Sequence, residues 1–157
     1  MKRRPMRDDT DAETPQLVES LSDVQIEQLH ALYQLEWWSR GRALEDVRQL
    51  MQTSSLVFGL IERETGRLVA FCRVLTDFLY HATLYDVIVA ADCRGRGLGS
   101  RLLDAVVDHP RLQRVQAMWL CCLPELLPFY ASWGFTLAEH EIKWLRRTTP
   151  ESYLPHG

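Results

Sequence analysis

The spacing of apolar residues changes from a helical period to a strand period near residue 55. Before that point, apolar stripes predict a helix that begins near Ser22, with Gln25 three residues on, and a second helix over Leu44–Gln52. After it, extended and helical patterns alternate. They predict strands at Leu56–Arg63, Arg67–Asp77, Ala82–Ala90 and Val115–Cys122, helices at Leu98–Asp108 and Pro124–Trp133, and one or two strands from Phe135 to about Arg147. This order of elements predicts a mixed α/β fold.

Length and charge predict one domain behind a short arm. The chain has 157 residues, 46% hydrophobic and 25% charged, as in an ordinary globular domain. Residues 1–16 are rich in charge, so we predict a flexible arm there and a single domain over 17–157. The net charge of −3 does not favour nucleic acid or an anionic membrane as a partner. No apolar run resembles a membrane span or a signal peptide, so a cytoplasmic location is expected.

A glycine-rich segment lies where a predicted strand gives way to a predicted helix. Residues 94–100 read Arg-Gly-Arg-Gly-Leu-Gly-Ser. The free N–H groups at a helix N-terminus bind phosphate, and glycine lets a ligand approach the backbone closely. Arg94 and Arg96 add positive charge. The segment therefore predicts a site for a ligand that carries a diphosphate.

Two common phosphate-binding motifs do not fit this segment. A P-loop needs Gly-Lys followed by Ser or Thr, and the chain has no such triplet. The dinucleotide fingerprint G-x-G-x-x-G would need glycine where Ser100 stands. The pattern Arg-x-x-Gly-x-Gly does fit, through Arg94, Gly97 and Gly99.

A second block, about 30 residues later, contains Phe129-Tyr130 followed by Gly134-Phe135. Together, the loop and this block resemble the GCN5-related N-acetyltransferase (GNAT) superfamily, over roughly residues 56–145. The resemblance implies a central, mostly antiparallel sheet of six to seven strands with about four flanking helices. It also implies a V-shaped opening between the two central strands, and acetyl-CoA as the cosubstrate that enters it.

The resemblance also implies roles for residues around the cosubstrate. Tyr130 matches the tyrosine that protonates the departing CoA thiolate, and a phenol carries its proton at neutral pH. Packing in the core is the alternative. Backbone N–H groups of a bulged strand would hold the acetyl carbonyl and the pantetheine. The implied cofactor-binding residues are Val87, Ile88, Val89, Arg94, Gly95, Arg96, Gly97, Leu98, Gly99 and Ser100.

Asp86 is the single ionisable carboxylate in the apolar run Thr83–Val89. A buried carboxylate must be paired, hydrogen-bonded or facing a cleft. In one interpretation it is a catalytic base or an anchor for the substrate ammonium, with a pKa raised by desolvation. In the other it is structural, satisfied by backbone N–H groups or by an arginine. The sequence leaves both open.

Two segments carry candidates for the acceptor site. Glu36, Trp37 and Trp38 precede the second helix, in a region that borders the acceptor in GNAT enzymes. Aromatic faces beside a carboxylate suit a cation, although the tryptophans could simply cap the core. Phe78 and Tyr80, between two predicted strands, are candidates of the same kind.

The four cysteines, at positions 72, 93, 121 and 122, lack the spacing of metal ligands, so no metal site is expected. Buried free thiols are predicted instead. Cys121-Cys122 stands where family members often have a polar residue. This departure suggests the hypothesis that one of the two thiols forms a mixed disulfide with CoA.

These features predict an acetyl-CoA-dependent N-acetyltransferase that moves an acetyl group directly to a primary amine in a ternary complex. A small-molecule amine is the expected acceptor, and a homodimer is left open. Three alternatives remain on the sequence. They are a non-catalytic acyl-CoA-binding or sensing module, an acyltransferase that modifies a protein N-terminus or lysine, and an acyltransferase directed at oxygen or sulfur.

Overall fold

The fold is built on a five-stranded sheet within the residues that the structure describes, 13–138 and 145–147. In this computed structural model the strands follow their order in the chain: β1 (Gln16–Val18), β2 (Leu56–Ile61), β3 (Leu68–Thr76), β4 (His81–Val89) and β5 (Ala117–Trp119). Neighbours from β1 to β4 pair antiparallel, and β5 pairs parallel with β4. The predicted mixed α/β class is confirmed.

Helices cover both faces of the sheet. They are α1 (Asp23–Leu35), α2 (Leu44–Thr53), α3 (Leu98–Val107) and α4 (Leu127–Ala131). Helix α1 begins with a capping box, in which the Ser22 hydroxyl accepts from the Gln25 N–H and the Gln25 side chain accepts from the Ser22 N–H. None of the described helices is long and apolar enough to cross a membrane.

The sheet separates two hydrophobic cores. Residues of α1 and α2 pack against one face, and α3 together with Tyr130 of α4 packs against the other. Strand β2 serves both cores because its side chains alternate: Phe58 points towards α3 and Val57 towards α1. This double burial explains why β2 reads as an uninterrupted apolar run.

Strand β4 contains a bulge at Asp86 and Val87. Tyr85 pairs with Arg73 and Ile88 with Phe71, so two residues of β4 face one residue of β3. Asp86 has φ of 57°, which is uncommon for a residue other than glycine. The extra residue reverses the alternation, so Leu84 lies in the α3-side core and Ile88 in the α1-side core. The bulge thereby directs the Asp86 side chain towards α1.

Strands β4 and β5 pair only over three residues of each, His81–Thr83 with Ala117–Trp119. Beyond Thr83, β4 continues to Val89 with no described strand on that side. An opening therefore lies beside the second half of β4. This is the place where the resemblance implied a V-shaped opening.

Several boundaries differ from the sequence predictions. Strand β1 was missed, and it includes Gln16, the last residue of the predicted arm. A three-residue strand offers too few positions for a periodic signal. The predicted helix Pro124–Trp133 divides into a 3-10 turn at Pro124–Leu126 and the short α4. Pro128 causes this division because it has no N–H to donate to the carbonyl four residues earlier.

The C-terminal part of the sheet is shorter than expected. The predicted strand Val115–Cys122 is ordered as a strand only over Ala117–Trp119. Residues 135–138 have no regular secondary structure, and positions 139–144 of the strands predicted up to Arg147 lie outside the described residues. Five described strands therefore stand against the six to seven expected.

Candidate active site

A cavity of about 250 Å³, which we call the α3 cavity, lies at the N-terminus of α3. Seven of the ten residues implied in cofactor binding line it, together with one that was not predicted as a site residue, Phe129. The lining residues are Val89, Arg94, Gly95, Gly97, Leu98, Gly99, Ser100 and Phe129. The cavity thus joins the end of β4, the glycine-rich loop and α4. The sequence could have indicated Phe129 through its place beside Tyr130.

The first turn of α3 presents backbone donors to this cavity. Gly97 is the N-cap with φ of 76°, and no side chain caps the helix. The first helical hydrogen bond runs from the Arg101 N–H to the Gly97 carbonyl at 3.1 Å. The N–H groups of residues 98–100 therefore have no acceptor within the helix. Such a group of donors at the positive end of a helix attracts an anion.

Gly99 keeps this approach open. A Cβ atom at this position would lie 3.4 Å from the ring of Phe129, which forms the opposite wall. A larger side chain would occupy the cavity itself. A Cβ atom alone would make ordinary van der Waals contact at this position, so the glycine leaves free the space that a longer side chain would fill.

The two arginines of the loop have different surroundings. Arg94 lines the cavity, and its guanidinium donates to the Glu36 carboxylate at 3.0 Å and to the Val89 carbonyl at 3.2 Å. Arg96 instead approaches the sulfur of Cys93 at 3.8 Å and does not line the cavity. Arg94 therefore connects the predicted cofactor loop to Glu36 of the predicted acceptor segment.

The predicted cofactor-binding residues of β4, Val87, Ile88 and Val89, contribute less side-chain surface to the cavity than the glycine-rich loop does. Ile88 is buried in the α1-side core, and Val87 has no partner on β3. Of these three residues, only Val89 lines the cavity together with the loop. A contact of Val87 and Ile88 with the cosubstrate would have to use their backbone groups, and this stays a prediction.

Asp86 is the centre of a buried polar group that we call the Asp86 cluster: Tyr33, Arg42, Arg73 and Asp86. The Asp86 side chain is 5% exposed. Its Oδ2 atom accepts from the Tyr33 hydroxyl at 2.8 Å, from Arg42 Nη1 at 3.0 Å and from Arg73 Nε at 2.6 Å. Sequence reasoning did not find these three partners, because they come from α1, the α1–α2 connection and β3.

The Asp86 cluster determines the direction in which the pKa of Asp86 is shifted. Burial by itself would raise the pKa of Asp86, but the hydrogen bond and charge of Arg73, and then those of Arg42, lower it below its usual value. Burial thus acts in the predicted direction, but the two arginines outweigh it, and the expected net rise in the pKa of Asp86 is wrong. A carboxylate held by two guanidinium groups is a weak base, so the structure favours the structural interpretation. Burial, followed by the charge of Asp86, raises the pKa of Tyr33, which keeps its proton.

Tyr130 lies on α4 with 8% of its surface exposed. Its ring packs edge-on against Phe129 at 5.0 Å and Phe135 at 6.2 Å between centroids. Burial, with smaller contributions from Cys122 and Cys72, raises the pKa of Tyr130 to about 12. The phenol therefore carries a proton at neutral pH, as a proton donor must.

The predicted acceptor residues fall into two separate regions. Trp38 packs edge-on against Tyr33 at 6.1 Å, so it lies beside the Asp86 cluster, and Trp37 is 59% exposed. Phe78 and Tyr80 lie instead at the turn between β3 and β4. Tyr80 precedes Asp86 by six positions along the chain, which corresponds to roughly 20 Å of strand. The structure does not bring the two groups together.

The cysteines are not all buried. Cys72 and Cys93 are buried as predicted, but Cys121 is exposed and Cys122 half-buried, because β5 ends at Trp119 before reaching them. Burial raises the pKa of Cys122, which lowers its thiolate fraction. Among the described residues, no three His, Cys, Asp or Glu side chains form a group that could hold a metal ion.

Comparison with known proteins finds a family model and similar proteins that are named N-acetyltransferases. The model of the Acetyltransferase (GNAT) family matches residues 21–135. An uncharacterized N-acetyltransferase of Pyropia yezoensis is 30% identical over 112 residues, which cover 66% of this chain and 64% of that protein. Glucosamine 6-phosphate N-acetyltransferase 1 of Oryza sativa is 38% identical over 86 residues, which cover 51% of this chain and 52% of that protein. The aligned part thus spans less than two thirds of either relative.

A crystal structure from Xanthomonas campestris, of a protein assigned as an acetyltransferase of the GNAT family, has the same fold. It superimposes with a TM-score of 0.74 at 33% identity and covers 87% of this chain and 96% of that one. The expected GNAT fold is confirmed. The family match spans the α1–α2 segment, the bulged strand, the glycine-rich loop and Tyr130, and the chain is therefore a member of the GNAT family of acetyltransferases.

Proposed function

We propose that this chain transfers the acetyl group of acetyl-CoA directly to the primary amine of a small molecule, in a ternary complex. The observation that carries the proposal is the uncapped first turn of α3, whose free N–H groups and Arg94 surround a cavity next to the β4 opening. A diphosphate suits these donors. Membership in an acetyltransferase family supports acetyl-CoA as the diphosphate ligand.

The geometry supports separate binding regions along β4 for the parts of acetyl-CoA. The diphosphate would occupy the α3 cavity, and the pantetheine arm would follow the second half of β4, where β5 no longer pairs. The thioester would then reach the bulge. Backbone donors at such a bulge stabilise the oxyanion that forms as the amine attacks the thioester carbonyl.

The chemistry then needs one proton donor. The amine forms the new C–N bond, the C–S bond breaks, and the departing thiolate takes a proton from the Tyr130 phenol. The amine must give up a proton, and we assign that proton to solvent because Asp86 is held as a weak base by Arg42 and Arg73. Solvent in turn returns a proton to the Tyr130 phenolate, which restores the enzyme. Asp86 accordingly acts as a positioning residue that fixes the bulge.

The proposal of a small-molecule acceptor is supported by one relative. By its name, the rice relative that is 38% identical acetylates glucosamine 6-phosphate, a small primary amine.

Acetyl-CoA binding tests the proposal through two matched glycine variants. Gly95 and Gly66 both have positive φ, 78° and 69°, and a Cβ atom added at either position would have no other atom within 4 Å. Gly95 lines the α3 cavity, whereas Gly66 lies in the β2–β3 turn. We expect Gly95→Glu to weaken acetyl-CoA binding about tenfold to hundredfold, because it places a carboxylate where the diphosphate should bind.

Isothermal titration calorimetry measures this difference, with Gly66→Glu as the control for backbone strain at a positive-φ site. Release of free thiol from acetyl-CoA with added amines then reports turnover. Equal losses of affinity in both variants, or no binding by the wild type, would refute the assigned site. Tight binding without thiol release from any amine would instead indicate an acyl-CoA sensor.

A further inference from the structure

A second cavity, of about 450 Å³, lies on the α2 side of the Asp86 cluster. Its size is within the range of small-molecule sites. It shares no residue with the α3 cavity. The residues that line it are Trp38, Arg42, Asp46, Gln49, Leu50 and Thr53.

The charges of the Asp86 cluster do not balance. Two guanidinium groups, from Arg42 and Arg73, share one carboxylate. Arg42 Nη2 donates to Asp86 Oδ1 at 3.5 Å, while Arg42 Nη1 and Arg73 Nε both donate to Oδ2. Tyr33 donates to the same oxygen and stays neutral, so it supplies no counter-charge. The cluster therefore carries one excess positive charge, and the side chains of Arg73 and Asp86 are at most 9% exposed to water.

Arg42 presents this excess charge to the second cavity. Its side chain is 22% exposed and lines the cavity, whereas Arg73 does not. Its guanidinium lies 4.5 Å from the ring centroid of Tyr33 and 5.5 Å from that of Trp38, and it is hydrogen-bonded to Asp86. The group is thus fixed before any ligand arrives. Because both Nη atoms already donate to Asp86, a ligand carboxylate or phosphate would meet the positive charge and the remaining N–H groups of Arg42 rather than an unoccupied fork.

One other charged residue, Asp46, lines this cavity. It is exposed and stands in the first turn of α2, where a negative charge is favourable. Water therefore screens its charge more than that of the buried cluster. Gln49 and Thr53 add neutral polar groups. The cavity combines one oriented cation with hydrogen-bonding groups, an aromatic wall and a solvated carboxylate at its edge.

We propose that this cavity is the acceptor subsite and that it takes an amine which also carries an anionic group, a carboxylate or a phosphate monoester. The proposal rests on the proposed N-acetyltransferase function and names its substrate class. Arg42 binds the anionic group. Because the same guanidinium contacts Asp86 in the bulge of β4, the bound acceptor lies next to the strand where the thioester is expected.

Matched acceptor pairs test the substrate class. The pairs are O-phosphoethanolamine with ethanolamine, and γ-aminobutyrate with butylamine, which separate the phosphate arm from the carboxylate arm. Thiol release from acetyl-CoA gives kcat/KM for each. We expect the anionic member of at least one pair to be preferred about tenfold or more, the gain typical of a charge-assisted hydrogen bond.

Three variants assign the preference to this cavity. Arg42→Gln should bring the kcat/KM ratio of the preferred pair close to one, and Asp46→Asn, on the helix surface, should increase it. Arg48→Gln is the control, since Arg48 belongs to α2 but pairs with Glu45 and Glu27 away from the cavity. Thermal melting curves check that each variant is folded. The increase in the kcat/KM ratio expected for Asp46→Asn tests the cavity even if Arg42→Gln does not fold.

Direct binding separates the two proposals. Calorimetric titration of O-phosphoethanolamine and γ-aminobutyrate, without acetyl-CoA, should show binding of at least one that weakens about tenfold in Arg42→Gln. Such binding without turnover of any amine would refute the proposed function but support the anion subsite. Turnover with equal kcat/KM in both pairs, or a preference unaffected by the Arg42 and Asp46 variants, would overturn the subsite and leave the function standing.

Discussion

Replacing Asp86 with alanine is expected to lower the free energy of unfolding by about 3–5 kcal/mol, since it leaves the buried guanidinium of Arg73 and the partly buried one of Arg42 without their shared carboxylate. Alanine also tolerates the positive φ of this position poorly. Urea unfolding followed by tryptophan fluorescence measures the change.

An exposed ion pair provides the control. Arg67 and Asp92 lie 2.7 Å apart, as close as the partners of Asp86, but the Asp92 side chain is 64% exposed. Asp92→Ala should therefore destabilise the protein far less than Asp86→Ala. Similar losses of unfolding free energy in both variants would mean that burial does not strengthen the ion pairs of the Asp86 cluster.

The pH dependence gives a second check on the cluster. Because the folded protein lowers the pKa of Asp86, the unfolded chain binds a proton first as the pH falls. The stabilisation is therefore complete above the unfolded pKa of about 3.9 and is lost as the pH falls through the folded value. Asp86→Asn keeps the shape of the side chain without this titration. The stability difference between wild type and Asp86→Asn should be constant near neutral pH and decrease below about pH 4.

The sequence predicted the α3 cavity better than the Asp86 cluster, and the reason is the distance along the chain between the partners. The cavity comes mostly from the continuous segment 94–100, whose strand-to-helix context is visible in a short window. Asp86 contacts Tyr33 and Arg42, which lie 53 and 44 residues away. Propensity and periodicity describe neighbours in sequence, so they showed that Asp86 needs a partner without showing which one.

The bulge shows a related limit. Strict alternation along Ala82–Ala90 would place Leu84, Asp86 and Ile88 on one face of the sheet. The extra residue at Asp86 instead puts Leu84 and Ile88 in different cores. The resemblance implied a bulged strand, but the position of the register shift follows from tertiary contacts: the carboxylate reaches α1 only when the strand slips by one residue.

The α1–α2 connection also links the two proposed sites. Glu36 follows α1 and pairs with Arg94 of the cofactor loop, and Arg42 comes from the same connection and pairs with Asp86 in the bulge. The α1–α2 connection therefore touches both ends of the path along which an acyl-CoA would lie. An acceptor bound beside α2 would contact the same segment that contacts the cofactor loop.

Removing one hydroxyl from α4 should have the largest effect on catalysis. Tyr130→Phe keeps the ring that packs against Phe129 and Phe135, and it deletes the proton proposed for the leaving thiolate. We expect kcat to fall by about 10²–10⁴-fold, the range of general acid catalysis, with little change in acetyl-CoA affinity. Steady-state thiol release and calorimetry measure the two quantities separately.

Tyr85→Phe is the control, because it removes a phenol from a half-exposed ring on β4 that faces Arg73. Burial raises the pKa of Tyr130 to about 12, so the wild type should keep its proton donor well above neutral pH. Activity should therefore show no alkaline decline from this residue below about pH 10. If Tyr130→Phe retained more than about a tenth of the wild-type kcat, the thiolate would take its proton from another group or from water, and the position of Tyr130 beside Phe129 would be explained by packing alone.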